Sequence, residues 1–198
     1  MDNRPFGWYS VSMENRRQLI LTEASRIIAE NGMDSFSLSL LAEKSGITKA
    51  TLYNYFTSKD EIFTTIIEEG HRTFMKNGFR LDLSGDVNSV LLRAAEHWVR
   101  IFNSEESILW LRIIFSMHLV NDLCHDEYRS ITLMLSSQAG VVISSFGLPQ
   151  SYTSTLTKLF SSLLLVTLER ALEGEEDTLE IDVKGVAELI ESVRGKRK

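Results

Sequence analysis

The chain has 198 residues, of which 43% are hydrophobic and 24% are charged, with a formal net charge of -6. These values are near the averages of soluble globular proteins and predict one compact domain, or a small domain fused to a larger one. The single cysteine, Cys124, excludes an intrachain disulfide and a cysteine-rich zinc site, and we expect it to be a partly buried, unreactive thiol. The start of the chain lacks the features of a secretory signal, and no apolar run is as long as a bilayer span. We therefore expect a cytoplasmic protein without a membrane partner.

The negative charge is unevenly distributed along the chain. Residues 1–78 hold nine Lys/Arg and ten Asp/Glu, a balance of -1, whereas residues 79–198 have a balance of -5. Within residues 37–59 the balance is +2. Because a surface that binds nucleic acid needs only a local basic footprint, the acidic total does not exclude DNA as a partner.

Apolar residues recur at helical spacing along most of the chain, and the alternation typical of strands is weak, which predicts an all-α fold. After a loose arm over residues 1–11, Ser12 is expected to cap a first helix that ends at Asn31-Gly32. Ser37 is expected to cap a short second helix that ends at the Ser45-Gly46 turn.

Thr48 is expected to cap a third helix that runs to about Tyr55, with Leu52 and Phe56 in the interior. Ser58 and Glu61 match the capping box, in which each side chain bonds to the backbone N–H of the other residue, so a fourth helix begins at Ser58.

The rest of the chain predicts further helices. They cover residues 87–102, 105–123, 131–146, 151–173 and 183–193. The helix over 105–123 is apolar nearly all round, which marks it as central.

Two short helices joined by a glycine-containing turn, after a longer first helix, form a helix-turn-helix whose second helix fits the major groove of DNA. Residues 37–55 have this form. The run Thr51-Leu-Tyr-Asn-Tyr-Phe56, followed by Ser58-Lys-Asp-Glu61, resembles the DNA-binding segment of the tetracycline-repressor (TetR) family.

The resemblance implies an N-terminal three-helix DNA-binding domain over residues 12–57. It also implies a C-terminal helical domain over residues 58–198 that binds an effector and dimerises, and whose first helix, from residue 58, connects the two domains.

Three side chains are expected to read base edges. Lys49 can donate to guanine O6 and N7, and the Ala50 methyl either contacts a thymine methyl or limits the approach of the backbone. Tyr53, one turn later, resembles the family's groove-facing tyrosine. Contacts to phosphates, which hold the register, are expected from Ser37, Thr48, Thr51, Asn54, Tyr55, Lys59 and Arg17. For Arg17, simple solvation is an equally open interpretation.

Two sets of side chains are candidates in the second domain. The first could line a pocket for a small apolar or aromatic effector, or could be plain core: Trp98, Phe102, Trp110, Phe115, His118, Met134 and Gln138. The second could form a homodimer interface, or an intramolecular core: Leu156, Phe160, Leu164, Leu168, Val186 and Ile190. A dimer is expected because helix-turn-helix proteins commonly bind two half-sites.

The predicted function is a ligand-responsive transcription regulator. By family resemblance it is a repressor that binds a pseudo-palindromic double-stranded operator as a homodimer and is released by the effector. A helical adaptor that binds only proteins is the alternative. An enzyme is disfavoured because no phosphate loop, nucleophile elbow or metal-spaced histidine cluster is visible. No catalytic residue, metal site or cofactor is therefore expected.

Overall fold

The computed structural model describes residues 13–76, 81–101, 104–174 and 179–195, and all the regular structure in these ranges is helical. The helices are α1 (Met13–Ser35), α2 (Leu38–Lys44), α3 (Lys49–Tyr53), α4 (Lys59–Lys76), α5 (Val87–Ile101), α6 (Glu105–Met117), α7 (Asp122–Ser144), α8 (Gln150–Glu173) and α9 (Leu179–Gly195). The all-α prediction is confirmed. The expected arm over residues 1–11, the Ser12 cap and Phe102 lie outside the described residues.

The chain divides into two compact units, Met1–Gly70 and His71–Lys198. The boundary falls inside α4, later than the division after residue 57 that the sequence suggests. The reason is that the first turns of α4 contribute apolar side chains to the core of the first unit.

The core of the first unit comes from all four of its helices and from the segments between them. Its buried side chains are Ile20, Leu21, Ala24, Ile27, Ile28, Phe36, Leu41, Ala42, Leu52, Phe56, Ile62, Phe63, Ile66 and Ile67. Burying one large apolar side chain of this kind contributes about 1.5–3 kcal/mol. The short helices α2 and α3 are therefore held by packing rather than by their own helix propensity.

In the second unit, α7 packs against both α6 and α8, and α5 packs against α9. Phe74, in the last turns of α4, lies against two tryptophans. Its ring centroid is 6.1 Å from that of Trp98 and 5.6 Å from that of Trp110, and all three side chains are buried.

The helix predicted over 105–123 is shorter in the structure. α6 ends at Met117, and α7 begins at Asp122 because Asn121 caps it, accepting a hydrogen bond from the backbone N–H of Cys124 at 3.1 Å. Within the described residues no single helix is long and apolar enough to cross a membrane, and α6 and α7 meet that criterion only as a pair bent by 111°.

Cys124 is buried completely rather than partly. Burial, and to a lesser extent the charge of Glu127, raises the pKa of its thiol to about 11. The thiol therefore stays protonated near neutral pH, which agrees with an unreactive side chain.

Candidate functional site

The helix-turn-helix begins at α2, whose first turn is capped as predicted. The backbone N–H of Leu40 donates to Ser37 Oγ at 3.2 Å. At the other end, Gly46 has a φ of 64°, and the N–H of the next residue, Ile47, donates to the carbonyl of Ala42 at 3.0 Å. This left-handed turn reverses the chain with little strain only because residue 46 is glycine.

The helix α3 is held by a side-chain cap at its start and by buried side chains on its inner side. Thr48 Oγ1 accepts a hydrogen bond from the backbone N–H of Thr51 at 3.1 Å, and the two threonine hydroxyls are 2.9 Å apart. Leu52 and Phe56 are buried, which confirms their predicted interior position. The helix ends at Tyr53, two residues earlier than predicted, and Asn54 is its C-cap.

The three predicted base-reading residues lie together on the outer side of α3. Lys49 and Ala50 are exposed, and Tyr53 is 54% exposed although it is a large aromatic residue. Asn54 is also exposed, whereas Thr51 and Tyr55 are half-buried. The first unit therefore presents a short, capped and well-packed helix with a cationic, an apolar and an aromatic side chain accessible to a partner.

The cap of α4 differs in one bond from the predicted capping box. The N–H of Glu61 donates to Ser58 Oγ at 3.0 Å, as expected. The Glu61 carboxylate, however, accepts from the backbone N–H and the hydroxyl of Thr57, each at 2.6 Å, instead of from the N–H of Ser58. These two hydrogen bonds lower the pKa of Glu61 from its ordinary value.

Two of the predicted phosphate-contacting cations have intramolecular partners. Lys59 Nζ donates to the carbonyl oxygen of Met33 at 2.9 Å and lies 5.7 Å from the ring centroid of Phe36. Lys59 therefore links the start of α4 to the end of α1, and its phosphate contact stays a prediction.

Arg17 is held in a similar way. Its Nη1 donates to Glu69 Oε1 at 2.7 Å, and its guanidinium carbon lies 5.1 Å from the ring centroid of Phe56. In this structure Arg17 is therefore not simply solvated but forms an ion pair that joins α1 to α4, and its phosphate contact stays a prediction. The sequence analysis assigned no role to Glu69, because no local pattern connects two residues that are 52 positions apart.

The predicted pocket residues fall into two groups. Trp98 and Trp110 are buried against Phe74, as expected for simple core. Phe115 and His118 both contact Tyr128, at centroid distances of 5.3 Å in an edge-on arrangement and 4.1 Å in a stacked one. Tyr128 was missed by sequence reasoning, because nothing in its local pattern separates it from any half-buried helical residue.

The other two predicted pocket residues, Met134 and Gln138, lie one turn apart on α7 and are half-buried. The amide oxygen of Gln138 is buried and has no hydrogen-bond partner among the described residues. Across the same described part of the chain, no group of three or more His, Cys, Asp and Glu side chains is placed to hold a metal ion.

The predicted dimer residues are on the wrong side of their helices. All six are between 0% and 6% exposed in the single chain: Leu156, Phe160, Leu164, Leu168, Val186 and Ile190. They form part of the core of the second unit, and side chains buried within one chain offer no surface to a second copy. Among the described side chains of these helices, the exposed large apolar ones are Tyr152, Leu159, Val166 and Leu189.

The geometry of α1 to α3 defines the class: this is a helix-turn-helix protein with a second, all-helical unit. A family model described as bacterial regulatory proteins, tetR family, matches residues 20–66. Residues 20–66 thus match the TetR family's DNA-binding segment, as the motif predicted.

Relatives match the N-terminal part best. Nucleoid occlusion factor SlmA of Mannheimia succiniciproducens is 38% identical over 58 residues, which are 29% of this chain and 27% of SlmA. The HTH-type transcriptional regulator AcrR of Shigella flexneri is 30% identical over 105 residues, which are 52% of this chain and 49% of AcrR. The chain thus matches only a quarter to a half of the length of these curated relatives.

The second unit is matched at the level of fold. The structure of AibR, solved in complex with isovaleryl coenzyme A and operator DNA, aligns with a TM-score of 0.59 at 17% identity, covering 88% of this chain and 97% of AibR. At this identity the likeness shows the fold alone, and it confirms the predicted arrangement of an N-terminal helix-turn-helix followed by a helical unit.

Proposed function

We propose that this chain is a transcription regulator that places α3 in the major groove of double-stranded operator DNA. The observation that carries the proposal is the exposed set of Lys49, Ala50 and Tyr53 on a helix that is capped by Thr48 and anchored by buried Leu52. A side chain reads a base only when its helix is held rigidly, and here packing and capping supply that rigidity.

The hydroxyl groups around α3 suit phosphates. Ser37 Oγ accepts from a backbone N–H, so its own proton is available to a phosphate oxygen. Thr48 and Thr51 share one hydrogen bond between their hydroxyls, which leaves one of the two protons to donate. With Asn54 and Tyr55 beside them, these groups set the register of α3 on the duplex.

The cations near the recognition helix differ in exposure. Arg17 and Lys59 are half-buried and have intramolecular partners, whereas Lys49 of α3 and Lys44, in the last turn of α2, are exposed. We assign phosphate neutralisation to Lys44, for which sequence reasoning proposed no contact.

A titration against DNA from upstream of the chain's own gene tests the proposal, with gel shifts at several salt concentrations. In a dimer the two Lys44 side chains neutralise two phosphates and contribute about -1.8 to the slope of log affinity against log salt. Lys44→Ala should make the slope less steep by that amount. Lys158→Ala, which removes an exposed lysine of α8, is the matched control. Absence of any DNA affinity would support the adaptor alternative instead.

We propose further that the chain acts as a homodimer through the outer side of α8. Tyr152, Leu159 and Val166 are 44%, 42% and 49% exposed and are spaced seven residues apart, so they form one stripe along the helix. Thr155 and Ser162, between them on that side, are exposed and uncharged. A stripe without charge can meet its own copy without electrostatic repulsion.

Analytical ultracentrifugation tests this surface. Leu159→Glu places like charges together at the proposed interface, and we expect the dimer dissociation constant to rise at least about tenfold. Leu133→Glu, at an apolar α7 residue that is 61% exposed, is the control and should leave the dimer intact. A native chain that stays monomeric at micromolar concentration would refute the proposal.

An effector completes the proposed function. AibR was solved with both a ligand and operator DNA, and we propose that a small apolar or aromatic molecule binds beside α7 in this chain and releases DNA, which makes the chain a repressor. The support comes from the half-buried Phe115, His118 and Met134, and from the Gln138 amide oxygen, which is buried without a described partner. A buried acceptor of this kind is satisfied by a ligand N–H or O–H.

Native mass spectrometry of the purified chain tests for such a molecule. We expect Gln138→Leu to fold normally and to weaken ligand retention at least about tenfold, since a hydrogen bond is lost in a desolvated site. Operator affinity that no retained molecule changes would contradict the effector proposal.

A further inference from the structure

Three aromatic rings meet where α6 packs against α7. The imidazole of His118 stacks on the ring of Tyr128, with centroids 4.1 Å apart and an interplanar angle of 14°. The ring of Phe115 lies edge-on to the same tyrosine, at 5.3 Å and 77°. His118 Nδ1 donates to the carbonyl of Phe115 at 2.8 Å, which fixes the imidazole in this stack. All three side chains are half-buried, so this aromatic cluster keeps an accessible side.

A carboxylate of α8 lies close to the aromatic cluster. Burial, and secondly the negative charge of Glu169, raises the pKa of the Tyr128 phenol above its ordinary value. Glu169 is half-buried, and its carboxylate has no hydrogen bond or ion pair with any residue in the described part of the chain. The guanidinium of Arg112 on α6 donates instead to the carbonyl of Leu172, nearer the end of α8, at 2.8 and 3.2 Å. Among the described residues, no cation therefore neutralises this negative charge beside the aromatic cluster.

The rings and the carboxylate favour the same class of ligand. The negative face of an aromatic ring attracts a cation, and the attraction grows when the cation leaves water. A carboxylate that loses water without gaining a positive partner is destabilised, so an uncharged ligand that covers Glu169 carries a penalty, and an anion is repelled. We propose that the aromatic cluster and Glu169 form a site for an organic cation, an amine or quaternary ammonium group on an apolar or aromatic body.

The cation site rests on the proposed effector binding, from which it takes Phe115 and His118, and it gives the charge of the molecule bound there. It is separate from the buried acceptor of Gln138. Tyr128 and Gln138 are ten residues apart on α7, which corresponds to about 15 Å along the helix axis.

A titration of the full chain with benzyltrimethylammonium, followed by ligand-observed NMR, tests the cation site. The reference ligand is neopentylbenzene, its uncharged carbon isostere, and we expect the cation to bind at least about tenfold more tightly. Glu169→Gln should weaken binding of the cation at least about tenfold without weakening binding of the isostere, because only the cation is attracted by the carboxylate. Glu173→Gln, at an exposed carboxylate of the same helix, is the matched control and should bind both ligands as the native chain does.

Substitutions of Tyr128 test the contribution of the rings. Tyr128→Phe keeps the aromatic face and should change the affinity for the cation by less than about twofold. Tyr128→Leu should weaken it by about 2- to 30-fold, the range that corresponds to loss of one cation–π interaction. If Tyr128→Leu does not fold, Glu169→Gln and the comparison of the two ligands still decide the matter.

Equal affinity of the native chain for the two ligands, unchanged binding of the cation in Glu169→Gln, or no binding of the cation at millimolar concentration would overturn the cation site. In that case, retention of an uncharged molecule that depends on Gln138 would leave the effector proposal standing. Binding of the cation that leaves operator affinity unchanged would instead support the site and count against its role in releasing DNA.

Discussion

At the scale of single residues, capping explains both what the sequence predicts well and where it fails. The Ser37, Thr48 and Ser58 caps are confirmed because a cap depends on residues only three positions apart. The Glu61 carboxylate accepts hydrogen bonds from Thr57 because this threonine offers two donors, its backbone N–H and its hydroxyl. The capping-box pattern considers only Ser58 and Glu61, so it does not predict that Thr57 replaces Ser58 as the donor.

The Glu61 cap predicts a pH dependence of stability. Its hydrogen bonds from Thr57 hold the pKa of Glu61 below its ordinary value of 4.5. A carboxyl group with a lowered folded-state pKa contributes stability above its unfolded-state pKa, and that stability is lost as the pH falls through the folded-state pKa. We expect Glu61→Gln to reduce the loss of unfolding free energy on acidification from neutral pH to below 4.5, measured by urea unfolding. Glu43→Gln, an exposed carboxylate of α2, is the control, and equal acid sensitivity of Glu61→Gln and the native chain would contradict the account.

Substitutions at the Arg17–Glu69 pair distinguish a structural role of Arg17 from a role in contacting DNA. The two side chains are 30% and 25% exposed, so solvent screens the pair, and the Phe56 contact adds a cation–π term. We expect Arg17→Gln and Glu69→Gln each to lower the free energy of unfolding by about 1 kcal/mol. If the only role of Arg17 were to contact a DNA phosphate, Glu69→Gln would leave the free energy of unfolding unchanged and would strengthen DNA binding.

At the scale of elements, the buried side of a helix can be predicted from the sequence when the helix has one apolar stripe. It cannot be predicted when apolar residues lie on several sides. α8 carries Leu156 and Phe160 inward and Leu159 and Val166 outward, so no local pattern shows which stripe faces the core. Only the packing of α7 and α9 against α8 decides it, and that information is not local.

The break between α6 and α7 is a second element-scale feature, and it depends on Asn121. Asn121→Ala removes the side-chain acceptor for the N–H of Cys124, and we expect a loss of about 1 kcal/mol in the free energy of unfolding. Ser130→Ala, an exposed position within α7, should cause no loss and serves as control. No difference between the two variants in urea unfolding would show that packing alone ends α6.

At the scale of the whole molecule, the match to the TetR family model and the order of the units follow from a short segment. The helix-turn-helix motif is specific because capping, a left-handed glycine and buried anchors must all occur at fixed spacing within about twenty residues. Ion pairs between residues 52 and 56 positions apart, at Arg17–Glu69 and His71–Glu127, have no such signature. They lie on either side of the unit boundary at Gly70, and their partners are visible only in the folded chain.

The central claim is that α3 reads DNA, and its most direct test is the affinity of Lys49→Ala and Tyr53→Ala for the operator, with unrelated DNA as reference. We expect each substitution to weaken operator binding by about 5- to 150-fold, the range for loss of one good base contact, with an unchanged unfolding midpoint. Lys158→Ala should bind as the native chain does. Operator affinity that is unchanged in both α3 variants would contradict the account.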